Sequence, residues 1–273
     1  MDHLLREHAP ISDLAWKLID DEARERLVDS LGARRLVDFN GPMGWQRSSV
    51  NLGRVDRLDN GPVPGVTTRR RRVLPMLEAR AEFTVSREEL FDADRGAVDV
   101  DFDDLAEAAL RVARLENIAV FNGWDAAGIV GIIPSSPHRP VPRVADFADY
   151  PQRVAQAVEA LLNHGIGGPY ALAVSPDDHT AIVETTEHGG YPLFEHVRAI
   201  LDGPMVRVPG LVGGVVLSQR GGDFLFESGQ DLSVGYRHHD ADSVRLYIEQ
   251  TFTFHIATPE AAIALVSSQS LER

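Results

Sequence analysis

Many residues in this chain could do chemistry, but few stand at a spacing that would let them do it together. Lys17 is the only lysine, so no phosphate-cradling loop of the Gly-Lys-Ser/Thr kind can form. Glycines at 123, 128 and 131 in "GWDAAGIVGI" miss the G-x-G-x-x-G spacing and follow a helical pattern, which leaves close backbone packing as their expected role. Asp99, Asp101 and Asp103 begin as a calcium loop would. The sixth place, however, holds Asp104 where glycine must turn the chain, and the twelfth holds Leu110. That run is expected to be a solvated acidic linker capping the helix after it. Ten histidines include no H-x-x-x-H or H-E-x-x-H pair, and His238 and His239 sit in the turn-like context "RHHDAD". The chain has no cysteine and no G-x-S-x-G elbow, which removes disulfides, thiolate nucleophiles and the commonest serine-hydrolase signature. An enzyme reading therefore rests on no motif, although a triad of Ser, His and Asp stays open by composition, and no resident metal is expected.

One cluster needs another explanation. "TTRRRRVLP" places Arg69, Arg70, Arg71 and Arg72 in succession inside a chain of net charge −14. Nucleic-acid affinity comes from clustered positive charge that displaces counterions, and an overall acidic chain argues against it. From Thr67 to Arg72 six polar side chains follow one another, so neither face of a strand there has a core to join.

The elements around these residues are readable. Ser12 or Asp13 caps a helix running through Leu14, Trp16, Ile19, Ala23, Leu27, Val28 and Leu31 to Gly32, and "RRLVDFNGPMGW" gives a short strand and a Gly-Pro turn. Val50 to Arg80 reads as a long hairpin around "DNGPVPG", an arm expected to project. Ser86 with Glu89 forms a capping box for a short helix ending near Gly96. A long spine helix follows from Phe102 to Phe121, then a proline-marked crossing at 134 to 142 and a helix closed by Gly165. Tyr170 to Ser218 alternates strand and helix as a small α/β unit, and the chain returns to β structure in "DFLFES", "DLSVGYR" and "SVRLYIEQTFTFHIAT". There, Val244, Leu246 and Ile248 alternate with Arg245 and Tyr247. No apolar run reaches the ~18 residues a membrane span needs, and "MDHLLREHAPISDLAW" lacks the basic start of a signal peptide, so a cytoplasmic protein is expected.

Several blocks taken together, "APISDLAW", "RRLVDFNGPMGW", "FTVSREELFDADRG", "GIGGPYALAVS", "EHGGYPLFEHV", "RGGDFLFESGQDLSVGYRHHDADSVRLYIEQTFTF" and "PEAAIAL", resemble the encapsulins, the family that includes linocin-type bacteriocin and culture-filtrate antigen homologues. The resemblance implies an α+β fold of the tailed-bacteriophage major-capsid type (Hong Kong 97-like). It divides the chain into an N-terminal helix and the start of a peripheral domain (1–46), an extended loop (47–75), the peripheral domain with its spine helix (76–133), an axial domain (134–221) and the peripheral domain's C-terminal strands (222–273). It further implies a non-enzymatic subunit that self-assembles into an icosahedral nanocompartment, admits small molecules through pores and encloses a cargo. That cargo would be a haem peroxidase or a ferritin-like iron-storage protein bearing a C-terminal targeting peptide.

By the same resemblance, Ile19, Leu27, Arg34, Asp38, Leu246 and Ile248 would hold the cargo peptide, with Arg34 and Asp38 acting as a pair. Glu187, His188, Gly189, Gly190 and Tyr191 would rim the fivefold pore, and Arg69 to Arg72 would meet carboxylates of neighbouring subunits, with the run from Asp92 to Asp104 as the candidate. Flavin occurs in some relatives and is not expected here. A phage or prophage capsid protein packaging DNA is the alternative from a different class.

Overall fold

The capping expectation at Ser12 holds in the computed structural model, which describes residues 3–59, 61–142, 146–186 and 190–266. The Ser12 hydroxyl accepts from Ala15 N at 3.1 Å and starts helix α1 (Asp13–Ser30). Its buried residues Ala15, Trp16, Ile19, Ala23 and Leu27 form a single stripe, while Leu14 and Val28 stay exposed, so the helix packs through a narrower face than its apolar content suggests. Strand β1 (Asp38–Asn40) follows, then β2 (Ser49–Leu58) and β3 (Thr68–Pro75), which among the described residues pair only with each other as a two-stranded arm. A bulge at Gly53, whose positive φ of 66° suits glycine, shifts the register between Asn51 and Val55. Strand β4 (Leu77–Ser86) leads into α2 (Arg87–Arg95), which stops at Gly96 in the left-handed conformation. Ser86 caps α2 as expected, through Glu88 N, but the capping box is not closed. Glu89 instead accepts from Asp101 N at 2.9 Å, because the acidic linker folds back over it.

The spine helix α3 (Asp103–Phe121) begins where Asp101 accepts from Asp103 N, in line with the capping role expected of the acidic run. After α3 the chain doubles back on itself. A Cβ on Gly131 would stand 2.2 Å from Gly123 N and 2.7 Å from Phe121 O, which explains two of the three glycines by backbone approach; Gly128 is a turn residue at φ 69°. Gly131→Ala should therefore lower the thermal midpoint by roughly 5–10 °C, an overpacking cost of about 2–3 kcal/mol that circular dichroism would read. Gly128→Ala, with open space at its Cβ, should cost less.

The second half contains α4 (Ile132–Ser135), β5 (Val141–Pro142), α5 (Tyr150–Asn163), β6 (Tyr170–Val174), α6 (Pro176–Glu184), α7 (Leu193–Leu201), β7 (Met205–Arg207) and β8 (Gly214–Ser218). These are followed by β9 (Phe224–Ser228), β10 (Ser233–His239), β11 (Ser243–Ile256) and β12 (Ala262–Val266). Among the described residues the strands outside the arm form two five-stranded sheets. One runs β1-β9-β11-β10 with β4 also on β11; the other runs β5-β12-β8-β6-β7. Strand β12, which the sequence division groups with 222–273, is hydrogen-bonded into the second sheet, opposite β8. Its apolar run "AIALV" needs a sheet covered on both faces, and the α/β unit supplies one.

Two cores follow from this layout. The first packs α1, α2 and α3 on Phe83, Val85, Val244, Leu246 and Ile248. The second surrounds the α/β sheet and reaches Phe226, Phe252 and Phe254. Strand β11 passes through both. The simple alternation expected along it fails from Leu246 to Phe254, where every residue is buried; Tyr247, for one, is covered by the Arg80 guanidinium 4.0 Å above its ring and by the N-terminal segment at its hydroxyl.

Candidate functional site

Beneath α1 lies a groove of about 440 Å³ whose apolar floor includes Ala23, Leu27, Leu31, Val234 and Ile248. One wall is the N-terminal segment, held down by several contacts. Tyr236 N donates to Leu4 O at 2.8 Å along the edge of β10, His3 stacks on Trp45 at 4.1 Å, and Arg6 grips Asp20 through two bonds of 3.0 and 2.8 Å while lying 4.0 Å over Trp16. The opposite wall is built around Arg34.

Arg34 follows α1 in a short 3₁₀ turn, and all three of its guanidinium nitrogens donate. Nε donates to Glu116 Oε1 at 2.9 Å, Nη2 to Glu116 Oε2 and to Gln250 Oε1 at 2.9 Å each, and Nη1 to Asp231 Oδ1 at 2.7 Å. The guanidinium also lies about 5 Å from the rings of Phe39 and Phe226. Glu116 is completely buried; burial pushes its carboxyl above the usual range, and the Arg34 charge and hydrogen bonds oppose that rise. Burial also works against the Arg34 charge, but Glu116 and Asp231 outweigh it and hold the guanidinium above its ordinary value. Next to it, Asn117 accepts from Ala33 N and donates to Ser30 O and Pro209 O, tying the end of α1 to the spine helix and to the α/β unit.

The structure therefore brings together three of the six residues assigned to cargo binding. Leu27, Arg34 and Ile248 line the groove. Ile19 and Leu246 do not line it; both have no exposure and belong to the core under α1 and α3, a core that also includes Leu27 and the equally unexposed Ile248. Asp38 does not pair with Arg34. Its carboxylate accepts from Gly222 N at 2.6 Å and borders a separate small cavity with Gln219 and Asp223, because β1 runs parallel to β9 and carries Asp38 to the loop before it.

Glu116, Asn117, Asp231 and Gln250 were missed from sequence. Glu116 had a readable signal, a carboxylate four residues from Val112 and from Val120 on the apolar face of α3. Asp231 and Gln250 come from distant segments and had none.

On the arm, Arg70 stands opposite Asp56 and Arg71 opposite Val55. Asp56 takes Arg72 Nε at 2.6 Å and lies 3.6 Å from Arg70, and the Arg72 hydrogen bond holds its pKa below the usual carboxylate range. Among the described residues Arg69 and Arg71 meet no carboxylate. Within the acidic run proposed to face them, Asp92 pairs with Arg95, Asp94 with Ser12, and Asp101 with Asp103 N.

Of the expected pore residues, Glu187, His188 and Gly189 lie outside the described residues. Gly190 has φ 81°, and Tyr191 is exposed with its ring 6.5 Å from His196. The root of that loop is closed by a bridge between Thr186 and Pro192 and by Leu193 N donating to Thr185 O. No cluster of three or more His, Asp or Glu that could hold a metal occurs among the described residues, and no helix there is long and apolar enough to cross a membrane.

A family model described as "Encapsulating protein for peroxidase" matches residues 1–253. The chain is 44% identical over 270 residues to a type 1 encapsulin shell protein of Rhodospirillum rubrum, covering 97% of this chain and 96% of that one. It is 40% identical over 265 residues to the type 1 encapsulin shell protein of Rhodococcus erythropolis, covering 97% and 100%. Among solved structures it resembles the virus-like particle from Pyrococcus furiosus, with a TM-score of 0.60 and 17% identity over 90% of this chain and 98% of that one. It also resembles the capsid of Myoviridae phage XM1, with a TM-score of 0.54 and 10% identity over 85% and 89%. At those identities the structural likeness establishes the phage-capsid type of α+β fold and nothing finer.

Proposed function

This chain belongs to the encapsulin shell-protein family, and from that premise we propose that it is the structural subunit of a closed protein compartment, many copies of which surround an enzyme cargo. It is a shell protein and not an enzyme; the catalysis belongs to what it encloses. The observation that carries this reading is the 44% identity across nearly the whole chain to a shell protein of the same family. A physical feature agrees with it: the β2–β3 arm presents polar side chains on both faces and has no core of its own, as expected of a strand pair that completes its contacts on another copy.

Of the two cargo classes expected from sequence, the family's description supports a peroxidase. The groove holding Leu27, Arg34 and Ile248 is the docking site we assign to the cargo's targeting segment, with the apolar floor as anchor and the charged walls as orienting groups. Arg69 and Arg71 are the arm residues that face carboxylates of neighbouring copies. The loop from 186 to 192, closed at its root, is the rim of the fivefold pore. The DNA-packaging alternative has weaker support, since the likeness to a phage capsid is one of fold alone.

The test is the untagged recombinant chain on a large-pore sizing column followed by negative-stain imaging. Uniform hollow particles eluting near the void, with no nucleic-acid absorbance, are the expected result. A small oligomer would overturn the shell reading, and particles filled with nucleic acid would favour the DNA-packaging one.

A further inference from the structure

We propose that His138 and His164 form a two-imidazole site for a divalent metal ion of the zinc class, on the α/β unit and away from the groove. Backbone carbonyls fix both tautomers. His138 Nε2 lies 2.8 Å from Glu260 O, and His164 Nδ1 lies 2.8 Å from Ala160 O. A carbonyl oxygen only accepts, so each of those nitrogens carries a proton. In the neutral rings the lone pairs are therefore left on His138 Nδ1 and His164 Nε2, and neither has a hydrogen-bond partner among the described residues.

The two rings are also neighbours, with centroids 4.5 Å apart and planes at 79°. Two imidazoles bound to one ion through metal–nitrogen bonds of about 2.0 Å have centroids about 4.5–5 Å apart, so this pair already stands at a chelating separation. Each ring is held from a different segment. His138 lies between α4 and β5; its N donates to Ser136 Oγ at 3.4 Å, and that hydroxyl donates to Ala262 O at 2.7 Å at the start of β12. His164 ends α5, its N donating to Leu161 O at 3.0 Å. A carbonyl on the far nitrogen is the usual outer partner of a metal-bound imidazole, because it orients the ring and strengthens the free nitrogen as a ligand. His164 is exposed and His138 half-buried, so an ion can reach them from solvent. No third His, Asp or Glu joins the pair among the described residues, and water completes the coordination. Imidazole suits zinc, copper and nickel, and zinc, with no angular preference of its own, accepts the angle between the rings. The bound ion would tie the end of α5 to the start of β12. Neither histidine belongs to an H-x-x-x-H pair, so the site has no sequence signature.

The test is zinc chloride titrated calorimetrically into the purified full-length chain near neutral pH, in the assembled form it adopts, followed by zinc-edge X-ray absorption at a sub-stoichiometric loading. The expected result is a tightest class of about one ion per subunit with two imidazoles among its ligands. Loss of an outer partner alone costs a metal site about 10–100-fold, so losing a ligand through His138→Gln or His164→Gln should weaken that class by about tenfold or more. The double variant should bind no more weakly than either single one, because one ion needs both rings. His238→Gln with His239→Gln should leave the class unchanged.

A tightest class that survives both substitutions at 138 and 164, or that disappears with His238 and His239, overturns the proposal. So does an X-ray absorption count of fewer than two imidazoles. A titration without any saturable zinc binding also overturns it and leaves the two rings as an aromatic contact. The absorption count is made on the unmodified chain and needs no variant to fold.

Discussion

Arg34→Ala is expected to unfold at a temperature roughly 6–15 °C below the unmodified chain, a loss of about 3–5 kcal/mol. The size follows from what the substitution leaves behind. Glu116 has no exposure, and its hydrogen bonds to Arg34 would be lost with nothing to replace them. Gln250 Oε1 loses its donor as well. An uncompensated carboxylate in the core costs far more than the pair contributes while intact. Pairing Arg34→Met with Glu116→Leu should therefore recover most of the loss, since both charges go together and Asp231 retains solvent on its exposed side. Circular dichroism melts of the unmodified chain, Arg34→Met, Glu116→Leu and the double variant complete the cycle, with Arg34→Ala measured beside them. If Arg34→Ala costs less than about 1 kcal/mol, the buried network is not what joins α1, α3 and β11. The same reasoning shows why alanine at Arg34 is a poor probe of cargo docking: a lost cargo would report an unravelled wall as readily as a lost contact.

The elements of this fold were legible where local rules act alone. Ser12, Ser86 and Gly96 fix helix ends through groups within a few residues, and the strand–helix order from Tyr170 to Ser218 follows from pattern and turn chemistry. Legibility failed where distant segments decide. Glu89 had a capping role in sequence but meets Asp101 because the acidic linker returns over α2. The apolar stretch at 262–266 could join either sheet by composition, and only the long-range pairing with β8 places it. The site behaved the same way. Ile19, Leu27, Leu246 and Ile248 are equally apolar and share one core, and only their places on α1 and β11 let Leu27 and Ile248 line the groove as well. Asp38 lies four residues after Arg34, close enough in sequence to suggest a pair, yet β1 carries it to the Gly222 amide.

Removing the arm should abolish assembly while leaving the subunit folded, the largest change expected of any alteration to this chain. The geometry permits a clean excision. Met76 N donates to Ser48 O at 2.9 Å, so residues 49–75 leave and return at one point and a short Gly-Ser turn can replace them. What is lost is a two-stranded ribbon paired only with itself, whose strand β3 is mostly exposed and carries Arg69 to Arg72. Its root packs on the body, where Leu52 and Leu74 share a pocket with Phe254 and Ile256. The two cores contain no residue of β2 or β3, so helix content should hold and the thermal midpoint should fall only slightly. Assembly is different, because every copy in a closed shell repeats the same contact. A loss of even about 1.4 kcal/mol per contact, tenfold in affinity, recurs at each interface around the shell. The armless chain is expected to elute as a monomer or small oligomer, and Arg69→Glu with Arg71→Glu should weaken particle formation without removing the hairpin, since Arg70 and Arg72 keep their partner Asp56. Hollow particles from the armless chain would remove the arm from assembly, and an unfolded product would show that it belongs to the subunit's own core.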